Sequence, residues 1–70
     1  MKVADEIKKI RYASLLSQAE FAAVIGVSFS TVNRLENGKT VPNYQTLKKI
    51  KSFCESNAIP FSIDLQEYRV

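Results

Sequence analysis

Residues 17–37, SQAEFAAVIGVSFSTVNRLEN, constrain the fold of this chain more than any other stretch. Two short segments with apolar residues at helical spacing flank one glycine, and each is preceded by a serine. Ser17 is followed three residues later by Glu20, the capping-box spacing, in which the serine oxygen accepts from one backbone N–H and the glutamate from another. Phe21, Ala22 and Ile25 then share one helical face. Gly26 stands where that helix must stop and a positive φ is needed. Val27 turns inward, and Ser28 offers a second N-cap for a helix over 29–36. Val32 and Leu35 lie three apart and can press on Ala22, whose small side chain lets two helices cross closely. Phe29, Ser30, Asn33 and Arg34 fall on the other side. The pattern predicts two short helices joined by a tight turn, with the second presented to something outside the protein.

Length sets the next bound. Seventy residues make one small domain, near the size at which a single core only just supports folding, so most strongly apolar side chains are committed to packing and a large cleft is excluded. There is no histidine, and the one cysteine, Cys54, can form neither an intrachain disulfide nor a multi-thiolate metal site. No nucleophile–base pair or metal cluster appears, which argues against an enzyme and predicts no cofactor and no metal. No apolar run approaches the ~20 residues of a membrane span, and the first six residues, MKVADE, turn acidic where a signal peptide turns apolar. The expectation is a cytoplasmic protein with no membrane partner.

Net charge is +3, and its distribution says more than its sum. In residues 34–51 five cations (Arg34, Lys39, Lys48, Lys49 and Lys51) face Glu36 alone, a net +4, whereas residues 1–33 carry +1 and the tail from Ser52 carries −2. Positive charge therefore concentrates just after the outward-facing helix. A solvated lysine face gives the same pattern, so charge alone does not decide.

The flanks read as follows. Val3, Ile7 and Ile10 recur at helical spacing among charged residues, predicting an amphipathic helix from about Lys2 to Ala13. Leu15 and Leu16 are expected to plug the bundle. Asn37-Gly38 stops the helix that begins at Phe29. Asn43 caps a fourth, in which Tyr44, Leu47, Ile50 and Cys54 face inward, with Phe53 beside them, and which ends near Ser56-Asn57. Then the period changes to two: Ile59, Phe61, Ile63 and Leu65 alternate with Pro60, Ser62, Asp64 and Gln66. No other segment has that repeat, so a strand here needs a partner from a second chain. Three arrangements stay open: an extended tail over its own helices, a strand paired with a second copy, or a short helix capped at Asp64.

Residues 17–42, SQAEFAAVIGVSFSTVNRLENGKTVP, closely resemble the helix-turn-helix of the Cro and phage-repressor (XRE) family of DNA-binding proteins. The match rests on Ser17-Gln18, Ala22, Gly26-Val27-Ser28, Thr31-Val32 and Leu35-Glu36-Asn37-Gly38-Lys39, and with the flanking helices it spans about residues 2–56. It implies an all-α, four-to-five-helix lambda-repressor-like bundle over 1–57; the C-terminal extended or strand-like tail over 58–70, a candidate dimerisation strand, lies outside the resemblance. It implies a sequence-specific double-stranded DNA-binding regulator, a repressor, acting as a homodimer. By position, base reading falls to Phe29, Ser30 and Arg34, with Asn33 adjacent. Phosphate holding falls to Gln18, to the loop residues Asn37, Lys39 and Thr40, and to Thr31. Arg11 and Glu36 match a structural pair that locks the first helix against the recognition helix.

Each role has a plainer rival. Phe29 either meets a thymine methyl or folds back over Val32 or Tyr44, Arg34 either reads a base or touches phosphate, and Gln18 is also simply a good helix former. The chain departs from the family pattern at Leu16, where glycine is common, and at Val24, where a polar residue is usual. Val24 and the apolar tail favour a protein partner, as in an antitoxin, a restriction-modification controller or an interaction module without DNA.

Overall fold

The computed structural model describes residues 3–61 and residue 63 of the protein. Four helices follow in order: α1 (Val3–Ala13), α2 (Gln18–Ile25), α3 (Phe29–Glu36) and α4 (Tyr44–Ser56). Each of the last three begins on a capping side chain. The Ser17 hydroxyl accepts from the Glu20 N–H at 3.1 Å while Glu20 accepts from the Ser17 N–H at 2.8 Å, a complete capping box. Ser28 accepts from the Thr31 N–H at 3.1 Å, and Asn43 from the Thr46 N–H at 2.8 Å. Such caps contribute about 1 kcal/mol each where the acceptor is Ser, Thr, Asp or Asn.

All four helices end in the same way. A left-handed residue stands just past each helix: Leu15 (φ 59), Gly26 (φ 77), Gly38 (φ 73) and Ala58 (φ 56). The N–H of the residue after it reaches back five positions to a helix carbonyl: Leu16 to Arg11, Val27 to Ala22, Lys39 to Arg34 and Ile59 to Cys54. This closes the orphan carbonyls of each last turn. Glycine adopts that conformation without a Cβ clash; leucine and alanine do so at a cost of about 1–2 kcal/mol.

The core is a single cluster. Ile7 and Ile10 of α1, Phe21, Ala22 and Ile25 of α2, Val32 and Leu35 of α3, and Leu47, Ile50, Phe53 and Cys54 of α4 are all buried in it. Phe21 and Phe53 meet edge to face with ring centres 5.4 Å apart, which ties α2 to α4. Ala22, 2 % exposed, sits where α2 packs on α3, and its methyl sets how closely they approach. Beyond α4, Ile59 and Phe61 pack on this cluster and Ile63 is buried within it. Ile59, Phe61 and Ile63 thus lie over the chain's own helices, and among the described residues no strand is present. The possible helix capped at Asp64, like the rest of the tail, lies outside the described residues.

Two expectations need correction. Leu15 does not plug the bundle: it is 91 % exposed, because it occupies the left-handed position closing α1, which turns its side chain outward, while Leu16 alone packs on the core. Tyr44 does not face inward either. It begins α4, remains 59 % exposed with the Lys48 ammonium 5.7 Å from its ring centre, and leaves a buried position to Thr46. Lys2, expected to start α1, lies outside the described residues.

Candidate nucleic-acid interface

α3 has two distinct sides. Val32 and Leu35 are buried against α2 and α1, while Phe29, Ser30 and Arg34 are exposed and Asn33 is half-buried. Phe29 keeps 52 % of its surface in solvent, a large value for an aromatic side chain in so small a domain. Arg34 stands beside a shallow depression lined by Thr31, Leu35, Thr40, Val41, Pro42, Asn43 and Thr46. The Thr31 and Ser28 hydroxyls lie 2.9 Å apart, so Thr31 takes part in the cap of α3. Asn37, Lys39 and Thr40 follow in an exposed loop, where Thr40 donates to the Val41 carbonyl at 3.4 Å. The backbone of that loop is set by Gly38, whose φ of 73° only glycine adopts without strain.

Arg11 and Glu36 meet across the α1–α3 packing. Arg11 donates from Nε to Glu36 Oε2 at 2.7 Å and from a terminal guanidinium nitrogen to Oε1 at 2.9 Å, a bidentate pair with side chains 11 % and 1 % exposed. The other terminal nitrogen donates to the Leu16 carbonyl at 3.0 Å, so one guanidinium fixes α3 and the loop before α2 together. Burial alone would push the Glu36 carboxyl up. The hydrogen bonds from Arg11 and Gln18, with the charges of Arg11 and Lys8, outweigh it and hold the carboxyl below its ordinary range. Arg11 is raised in turn, chiefly by its hydrogen bond to Glu36.

Sequence reading missed what continues from Glu36. Gln18 donates to Glu36 Oε1 at 3.0 Å, Asn33 donates to Gln18 Oε1 at 3.3 Å, and Asn37 donates to Asn33 Oδ1 at 3.1 Å. Residues expected to hold phosphate (Gln18, Asn37) are thereby joined to one expected to read bases (Asn33). The four-residue spacing of Asn33 on α3 and Asn37 at its C-cap is a readable signal. The Gln18 link, fifteen residues distant, had none.

The basic segment divides in space. Arg34 and Lys39 belong to α3 and its loop, whereas Lys48, Lys49 and Lys51 lie on α4. Lys49 donates to the Gly26 carbonyl at 3.2 Å, placing a cation at the negative end of α2. Val24, 58 % exposed, borders a groove with Lys48, Lys49, Ser52 and Ser56. The Cys54 thiol is buried, and burial, with Glu55 nearby, raises its pKa. Among the described residues no three His, Cys, Asp or Glu side chains gather to hold a metal, and no helix is long and apolar enough to cross a membrane.

A four-helix bundle in which two short helices cross at a small residue, the second bare on its outer side, defines a helix-turn-helix protein. The helix-turn-helix family model matches residues 7–56, well over half of the chain, and the protein belongs to that family as a DNA-binding regulator of the XRE type. Searches of curated proteins and of solved structures returned no match.

Proposed function

We propose that the protein is a sequence-specific repressor that lays α3 in the major groove of double-stranded DNA. The observation that carries this reading is the division of α3 into a buried side and a bare side holding Phe29, Ser30 and Arg34. An arginine there suits O6 and N7 of guanine in a bidentate pair, serine bonds several base edges, and the Phe29 ring suits a thymine methyl. Lys39, Thr40 and Asn37 in the loop after α3, with Thr31 at the start of α3, hold phosphates and fix register. Occupying the groove excludes other proteins from it, and over a promoter that is repression.

One domain of this size contacts few base pairs, so useful specificity calls for a homodimer with two copies of α3 about 34 Å apart on one side of the duplex. The tail beyond Ile63 is the proposed dimer element. Because Ile63 belongs to the core, a truncation testing this should end after Ile63. Sedimentation of that variant as a dimer would refute a dimer made by the residues beyond it. The exposed Val24 favours a second reading, a regulator that also docks a protein partner on the α2–α4 side, as antitoxins and restriction-modification controllers do.

Titrating salt tests the principal reading. Log affinity should fall linearly with log salt, with a slope of about −0.9 per phosphate neutralised. A flat response, with equal affinity for all duplexes, would refute it.

A further inference from the structure

Glu36 can only accept hydrogen bonds, and that restriction propagates through three amides. Its Oε1 receives both Arg11 and, at 3.0 Å, the side chain of Gln18. An ionised carboxylate offers no hydrogen, so the end of Gln18 that faces it must be the NH2 group, and Gln18 Oε1 is turned toward Asn33. That oxygen also only accepts, so Asn33 faces it with Nδ2 at 3.3 Å, and Asn33 Oδ1 is left to receive Nδ2 of Asn37 at 3.1 Å. Reversing either the Gln18 or the Asn33 amide alone would set oxygen against oxygen or NH2 against NH2. The buried charge at one end therefore orients the whole series.

Asn33 gives one N–H to Gln18 and one lone pair to Asn37, so one N–H and one lone pair of its amide remain. Those are the complement of adenine in the major groove, which offers N7 as acceptor and the N6 amino group as donor. We propose that Gln18, oriented by Glu36, is a positioning residue that holds the Asn33 amide in the single orientation that reads adenine. The inference rests on the assignment of α3 as the recognition helix.

The test uses a selected duplex in which each base pair is varied in turn. The wild-type profile should contain an adenine whose replacement costs about tenfold in affinity. Asn33→Ala should erase that preference and leave the others. Gln18→Met, which removes both amide bonds while keeping a good helix former and the Arg11–Glu36 pair, should lower the same preference by about fivefold, with the rest of the profile and the salt slope unchanged. Uniform weakening by Gln18→Met with a smaller salt slope would make Gln18 a phosphate contact and overturn the proposal while leaving DNA reading intact. An Asn33→Ala profile identical to wild type would overturn it as well. A wild-type protein with no preferred duplex would remove the reading on which it rests. Should Gln18→Met fail to fold, side-chain amide relaxation of the free wild-type protein decides: Gln18 and Asn33 should be as rigid as the backbone, and mobility equal to that of the exposed Gln45 would overturn the proposal.

Discussion

The two sides of α3 differ in what holds them. On the inner side Val32, Leu35 and Glu36 are nearly closed to solvent, and Glu36 is tied to α1 through Arg11 and to α2 through Gln18. On the outer side Phe29, Ser30 and Arg34 stand in solvent, and among the described residues the side chains of Ser30 and Arg34 meet no hydrogen-bond partner. A helix of eight residues cannot be stable alone, so the inner side makes it a helix and the outer side is free to vary. Inner substitutions should therefore be felt in folding, and outer ones only in the ligand.

The largest expected effect comes from breaking the inner side. Arg11→Ala leaves the Glu36 carboxylate buried without its cation and should cost about 3–5 kcal/mol in chemical unfolding. Acid gives the same contrast another form. Because the folded Glu36 carboxyl lies below its unfolded value, its contribution is complete above the unfolded pKa of about 4.3 and is lost as pH falls through the folded one. In Arg11→Ala burial dominates, so acidification should recover part of the lost stability, opposite to the wild-type contribution. Unfolding titrations between pH 7 and pH 3 read both slopes.

Arg34→Ala acts on the outer side. It should leave the melting temperature unchanged and cost about 1–3 kcal/mol of discrimination at one base pair, measured with single-base variants of a selected duplex. A comparable loss of thermal stability would erase the distinction between the two sides. Leu15→Gly tests a place where neither side is involved. It relieves a left-handed leucine whose side chain is 91 % exposed and should raise stability by up to about 1 kcal/mol, after glycine's own entropy cost, without altering DNA affinity. Lys39→Ala should be the mildest: a uniform weakening on all sequences, with the salt slope smaller by about one.

How legible these features were in the sequence follows from how local their causes are. Serine and asparagine caps and the glycines at 26 and 38 act within a few residues, so the ends of α2, α3 and α4 could be placed from composition alone. Leu15 closes α1 in the same left-handed geometry that Gly26 gives α2, but leucine carries no sign of it, and the residue was assigned to the core instead. Ala58 carries no sign of that geometry either, although the polar Ser56-Asn57 marks the end of α4 correctly. The alternation of Ile59, Phe61 and Ile63 correctly marks one apolar side. What covers that side depends on the three-dimensional packing, and here it is the protein's own helices. Among the site residues, exposure of Phe29, Ser30 and Arg34 follows from helical period. The bonds joining Gln18 to Glu36 and Asn33 depend on how α2 crosses α3, which no spacing along the chain encodes.

Selection of bound sites from a random duplex library tests the central claim most directly. The predicted result is a set of enriched sites with fixed base pairs in two half-sites related by two-fold symmetry, their centres about one helical turn apart. Enrichment of no sequence over the starting library would contradict it.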